Sequence, residues 1–415
     1  MKITPYRRVL AQPRMRSVTV LGFLSRIPAT AAGMTTTLHV ITTLNLGYAE
    51  AGLAGALSML GIGVGSPLAG RLVDRLGPRP VVVVTTIAQA LYWAVAPSLS
   101  YQWLVISAFI SGVLCIPVFG LMRQYMAALV PIEQRRTAFA LDSMAVELSY
   151  MLGPALAVAG VTAIGSSATM YAVGAGLVAA GVATIVMNPP VQSEEEARDT
   201  STVPRRAWLN RGMIAVLMAT ATTTFVLSAT ELTVVAQLNN AGATVWTGVV
   251  IALWCAYSLI GGFIYGGLRR PVSPVLLVGG LALMTLPIVL VAGGWWWLLA
   301  LVLIPGGVLT APSLAATVDS VSSCVPASAR GEAMGLHGTA LTIGIAVGSP
   351  LAGAVIDAFG PAWGYAVAGG VGLLLILAAA PFWPRRADEV PPVRRAQAAA
   401  QPDTAGATEP AHAAR

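Results

Sequence analysis

Charge is what this chain has least of. Only 10% of its 415 residues are Asp, Glu, Lys or Arg, against about 25% in a soluble domain. Hydrophobic residues make up 56%, and the mean hydropathy is +0.76. So few polar groups cannot cover a soluble surface, which excludes a water-soluble globular fold. Histidine and cysteine are scarce too, three of each. Cys115, Cys255 and Cys324 have neither metal-ligand nor disulfide spacing and read as packing residues. No metal and no cofactor are therefore expected. There is no phosphate-cradling glycine loop, and no polar segment long enough to house nucleotide hydrolysis. Without a clustered catalytic set, an enzyme or a membrane sensor fits poorly.

What is present is a series of apolar runs. A membrane-spanning helix needs about 20 mainly apolar residues. Twelve runs qualify, near 17–42, 49–70, 80–97, 102–128, 137–159, 167–187, 212–236, 246–267, 273–292, 295–317, 332–356 and 363–383. Arg7-Arg8 and Ala29-Thr30-Ala31 imitate a cleavable leader, but Arg26 and Pro28 interrupt the apolar stretch, so it reads as an uncleaved first span. Of the 24 Lys and Arg, all but Arg26 and Arg123 fall in the two tails or in alternate loops. That alternation places both termini in the cytoplasm of a cell whose cytoplasmic membrane holds the protein. It also accounts for the net charge of +7 without a nucleic-acid partner. The expected organisation is an N-tail (1–16), a six-helix half (17–187), a linker (188–211) with an acidic run at Glu194-Glu195-Glu196, a second half (212–384) and a disordered tail (385–415). Trp295-Trp296-Trp297 reads as an interfacial aromatic belt.

The two halves repeat at about 195 residues. Gly52, Ala56, Gly65 and Gly70 of span 2 align with Gly248, Ala252, Gly261 and Gly266 of span 8. Ala138, Leu141 and Gly153 of span 5 align with Ala333, Leu336 and Gly348 of span 11. Two parallel six-helix halves around a central pathway are an architecture of secondary transporters. A second, misleading repeat joins GSPLAGRLVDRLGP (65–78) to GSPLAGAVIDAFGP (348–361). Its copies end on opposite membrane faces, and only the first keeps its arginines.

The loop after span 2 reads Gly70-Arg71-Leu72-Val73-Asp74-Arg75-Leu76-Gly77-Pro78-Arg79. It resembles the G-x-L-x-D-R-x-G-R-R motif of the major facilitator superfamily, with Pro78 at a usually basic position. The resemblance covers residues 17–384, closest to bacterial efflux permeases. It implies an all-α fold of twelve helices in two pseudo-symmetric halves. It also implies that Gly70, Asp74, Arg75, Gly77 and Arg79 form a conformational latch, with Asp74 accepting from a helix N-terminus. In span 5, Gly153-Pro154 is similar to part of a drug–proton antiporter motif, with Ser149, Ala157 and Val158 standing where that motif has glycines. Close helix packing or a kink explains Gly153-Pro154 equally well. Ser107 stands near the place of the family's usual span 4 arginine.

Ionisable residues inside a membrane are costly and usually face the interior. Here they are Arg26, Arg123, Asp142, Glu147, Glu231, His39 and His337. Arg26 and Glu147 each sit about 15 Å from the nearest cytoplasmic edge at the helical rise. They are expected to pair, either as a substrate and proton site or as a permanent ion pair. Arg26, Thr30, Gly33 and Thr37 fall on one helix face, as do Thr220, Thr224, Ser228 and Glu231. His337 and Asp142 occupy equivalent depths in spans 11 and 5 and suggest a gate; polar packing explains them equally. The resulting expectation is a monomeric secondary transporter of a small molecule, working by alternating access as proton-coupled efflux. Metabolite uptake by symport or facilitation is the alternative.

Overall fold

The computed structural model describes residues 4–192, 204–268, 272–291 and 295–383. The acidic run of the linker and the C-terminal tail lie outside these residues. Helices stand at all twelve expected positions and keep the span numbers here. They are Met15–Thr42, Tyr48–Leu76, Pro78–Val95, Tyr101–Val113 with Val118–Leu129, Ile132–Ile164 and Ser166–Met187 in the first half. In the second they are Arg211–Asn240, Thr247–Gly267, Pro274–Thr285, Trp296–Val302 with Ile304–Cys324, Arg330–Phe359 and Pro361–Ala379. No strand occurs among the described residues.

Ten of these helices are long and apolar enough to cross a membrane, and span 10 makes an eleventh as a pair bent by 45°. Span 1 falls outside that set although it has 28 residues. Arg26 and a run of threonines dilute its hydropathy, and most of that polarity is turned inward: Arg26, Thr35, Thr36 and His39 are buried.

Local sequence explains where helices start and stop. Gly77, Gly165 and Gly360 adopt φ of 83°, 84° and 90°, conformations that side chains resist. Each lets one span turn directly into the next. Pro78 and Pro361 follow two of them at the first helical position, where a missing N–H costs nothing. Asn210 caps span 7, its side chain accepting from the Met213 amide at 3.1 Å.

The 195-residue repeat appears in the packing. In the first half, Gly153 of span 5 lies so close to span 1 that a Cβ would strike Thr30 and the Ile27 carbonyl. Thr30 Oγ1 donates to the Ser149 carbonyl at 2.8 Å. In the second half, Gly344 and Gly348 of span 11 meet Thr224 and Ser228 of span 7, and Thr224 Oγ1 donates to the Leu341 carbonyl at 2.9 Å. Small residues that let backbones approach are how helices gain contact in lipid, where burial of apolar surface gives no drive.

Among the described residues, apolar clusters join the halves at one end of the bundle. A single hydrophobic cluster at the face bearing the N-terminal segment and linker unites Val73, Met126 and Ala138 of the first half with Tyr265, Val318 and Met334 of the second. At the opposite face the apolar clusters are separate. One contains Trp93, Leu104 and Met170, the other Leu238, Ile288 and Tyr365. A Cβ added at Gly33, Gly52, Gly55 or Gly248, all in the opposite half of the bundle, would meet nothing. The apolar contact between the halves is concentrated at the terminal face.

A short N-terminal helix, Thr4–Leu10, reinforces the closure. Its Tyr6 hydroxyl donates to the carbonyls of Gly262 at 3.2 Å and Phe263 at 2.5 Å, while its ring stacks on Phe263 at 4.7 Å. Only a glycine at 266 leaves room for that hydroxyl.

Candidate functional site

Two polar constellations lie on the seam between the halves. The first is at the terminal end of spans 2 and 11. Asp74 Oδ1 accepts from the Gly331 amide and Oδ2 from the Glu332 amide, each at 2.8 Å. These are the first turn of span 11, whose leading N–H groups have no partner within the helix. The carboxylate therefore caps a helix of the other half and meets the positive end of its dipole. The approach is possible because Gly70 and Gly331 have no side chains: a Cβ on either would run into the other's carbonyl. Gly335 likewise abuts Ser66 and Pro67.

Of the motif's cations, the structure brings Arg71 rather than Arg75 or Arg79 to this joint. Arg71 Nε lies 3.2 Å from Glu332 Oε2, and Arg205 from the linker lies 3.0 Å from Glu332 Oε1. Arg75 and Arg79 are exposed. Gly77 makes the turn into span 3. The linker's part could not be read from sequence, because nothing in it marks Arg205 as closer to span 11 than Arg206.

The second constellation is deeper. Arg26 of span 1 does not pair with Glu147; its partner is Asp142 of span 5, with Nη2 2.6 Å from Oδ1. Arg123 of span 4 donates from Nε to Asp142 Oδ2 at 3.0 Å. Its Nη1 donates to Nδ1 of His337 on span 11, at 3.1 Å. His337 must then carry its proton on Nε2, which lies 3.2 Å from Thr317 Oγ1 on span 10, and the Thr317 hydroxyl donates to the Leu314 carbonyl at 2.9 Å. This tautomer follows from the partners. The chain Arg26–Asp142–Arg123–His337–Thr317 crosses from one half to the other, and its four ionisable members are at most 2% exposed. Asp142 and His337 do not bond each other directly; Arg123 stands between them.

Glu147 faces the second half. Its Oε2 accepts from Ser258 of span 8 at 2.5 Å, and Ser258 Oγ accepts from the Ala311 amide of span 10 at 3.1 Å. Pro312 follows Ala311 inside that helix. A proline there leaves the carbonyl of Val308 without its usual helical donor, and that carbonyl abuts Gly261. Ser258 is a residue that sequence reasoning missed; a lone serine in an apolar span gives no signal. Glu231 of span 7 is exposed and has no side-chain partner among the described residues. His39 is set apart, Nδ1 bonding Ser166 at 2.9 Å.

No group of three or more potential metal ligands occurs among the described residues. Thr30 and Gly153 serve the span 1–span 5 contact.

The fold has known counterparts. The structure is similar to the human organic anion transporter MFSD10 (TETRAN), at 17% identity and a TM-score of 0.71, covering 89% of this chain and 100% of that one. The proton:xylose symporter XylE aligns at 14% identity and a TM-score of 0.69, covering 89% and 95%. A bacterial homologue of the iron transporter ferroportin, in an outward-facing state, aligns at 13% and 0.68, covering 88% and 97%. A search of curated proteins returns no match. The sequence model described as Major Facilitator Superfamily matches residues 18–304 and 269–409. A polytopic helical bundle with paired halves, a carboxylate capping across them and a sequence matched over nearly its whole length belongs to the Major Facilitator Superfamily of membrane transporters.

Proposed function

We propose that this transporter exports a small solute from the cell by proton-coupled alternating access. In this reading the terminal face is cytoplasmic, and the structure is the outward-open state. The observation that carries it is the one-sided closure: the Asp74 cap, the Arg123–His337 bond and the shared apolar cluster all join the halves on the terminal side of the bundle. Splitting those contacts while closing the far end would move a central cavity from one face to the other. The placement of Lys and Arg in the tails and alternate loops supports the cytoplasmic assignment. Each chain carries both halves of the pathway, so a monomer suffices.

Glu147 and Glu231 are the proton carriers of this proposal. Intramembrane carboxylates without a cationic partner are typical of proton relays, and neither forms an ion pair among the described residues. The Gly153-Pro154 pair of span 5, similar to antiporter sequences, supports export. Asp74, with Gly70 and Arg71, is the conformational latch; Arg75 and Arg79 act through the membrane orientation of the loop.

The test is flux in proteoliposomes with and without an imposed pH gradient, for wild type and for Glu147→Gln and Glu231→Gln. Solute movement should follow the gradient in the wild type and lose that dependence in at least one variant. Identical pH-independent flux in all three would refute proton coupling. Solute and protons moving in the same direction would replace export with uptake by symport.

A further inference from the structure

The buried relay is not electrically balanced. Arg26 and Arg123 bring two positive charges, Asp142 brings one negative charge, and His337 is neutral because it accepts from Arg123. One positive charge is left over near mid-membrane, where an unmatched charge is costly. Neither intramembrane glutamate supplies the missing anion, since Glu147 bonds Ser258 and Glu231 stands on span 7.

The surplus sits at Arg26. A guanidinium has five N–H donors. In Arg26 only Nη2 approaches a carboxylate, and among the described residues none of Nε, Nη1 and Nη2 has a hydrogen-bond partner although the residue is completely buried. Buried polar groups are nearly always satisfied, so such an orphan calls for a missing partner. What covers it is aromatic. The guanidinium carbon lies 5.3 Å from the centre of the Phe119 ring, and Phe119 packs against Tyr150 at 6.1 Å. Tyr150 is 53% exposed. Phe119 and the exposed Tyr150 thus stand over the orphan donors.

We propose that Arg26 is the substrate-binding cation of the transport site and takes the carboxylate group of an organic anion, with Phe119 and Tyr150 flanking the apolar body. The planar fork of arginine suits a carboxylate, and a bound monoanion neutralises the relay. The inference rests on the transport reading above and names its substrate class.

The experiment measures thermal unfolding of the purified full-length protein with benzoate, phenylacetate and hexanoate. Benzamide, phenylacetamide, hexanamide and benzylamine serve as matched controls. At least one acid should raise the unfolding midpoint where its amide does not. In Arg26→Gln its apparent affinity should fall about 10- to 100-fold, as expected for loss of a charge-assisted bond. If Arg26→Gln does not fold, Arg26→Lys, which keeps the charge and loses the fork, should show a smaller loss. Phe119→Leu, which leaves the charge in place, should also weaken the aromatic acids more than hexanoate. Stabilisation by no acid, by benzylamine alone, or equally by acids in wild type and Arg26 variants overturns the proposal. Absence of flux of every compound in proteoliposomes, with acid binding intact, would instead refute the transport reading and leave the anion site standing.

Discussion

Replacing Asp74 by asparagine isolates the contribution of the cross-half cap. The wild-type carboxylate accepts two backbone N–H bonds, each 2.8 Å, from Gly331 and Glu332. Asparagine keeps one acceptor oxygen but turns an NH2 group against the other amide. One charge-assisted bond is lost, about 1.5–3 kcal/mol, and the charge–dipole attraction at the helix N-terminus goes too, about 0.3–1 kcal/mol. These bonds exist only while spans 2 and 11 are together, so the sum weakens the closed terminal face relative to its open form. About 2–4 kcal/mol corresponds to a shift of about 30-fold to several hundredfold. By contrast, Glu332 makes its ion pairs with Arg71 and Arg205, whose side chains are 40% and 47% exposed. Such pairs are worth about 1 kcal/mol or less, so Glu332→Gln should move the equilibrium only severalfold. The assay is a spin-label distance distribution between cysteines placed at Leu76 and Leu268, exposed ends of spans 2 and 8, with Cys115, Cys255 and Cys324 replaced. Asp74→Asn should broaden the distribution to longer distances, with transport reduced and membrane insertion unchanged. A distribution identical to wild type, or a larger effect from Glu332→Gln, would refute the reasoning.

Other perturbations separate packing from charge. Asp142→Asn leaves Arg26 and Arg123 facing each other without compensation and should destabilise the protein by about 3–5 kcal/mol, read as a lower unfolding midpoint; adding Arg26→Gln should recover part of it. Gly70→Ala drives a methyl group into the Gly331 carbonyl, so reagents applied from the terminal face should reach span 2 cysteines that wild type protects. Ser258→Ala removes both the donor to Glu147 and the acceptor of the Ala311 amide. It should cost about 1–3 kcal/mol and weaken the hold of span 8 on span 5, seen as faster hydrogen exchange in span 10 near Ala311.

The fold was legible because membrane insertion writes its constraints into one dimension. Apolar run length and the alternation of Lys and Arg need no knowledge of the third dimension, and both led to the observed helices. The cap of Asp74 was legible through the resemblance of its loop to a known family motif, and the observed bonds to Gly331 and Glu332 match what that resemblance implied. Pairing inside the membrane was less accessible. Arg26 was matched to Glu147 by depth, counting span 5 from residue 137. The helix starts at Ile132, and from that start it is Asp142 that lies about 15 Å along it. Depth was a sound criterion applied from a boundary that Arg135 and Arg136 had obscured. These two extend the helix beyond its apolar stretch; Arg135 satisfies its Nε on the Ala127 carbonyl at 3.1 Å. Rotational phase between helices was out of reach altogether, which is why Ser258 and the bridging place of Arg123 emerged only in three dimensions. The repeated GSPLAG string shows the same limit. Its first copy packs Gly65 on span 4 and Gly70 on span 11, whereas its second packs Gly348 on span 7. One sequence serves three different neighbours because only the demand for a missing side chain is shared.

The central claim is that the terminal face must open for transport to occur. A Cβ built at Gly338 of span 11 lies 3.7 Å from Ser66 Cβ of span 2, within the range of a disulfide. In a chain lacking its native cysteines, Ser66→Cys with Gly338→Cys should form a cross-link on oxidation. Solute flux in proteoliposomes should then stop and return on reduction, while either single variant stays insensitive to oxidant. Undiminished flux through fully cross-linked protein would contradict the account.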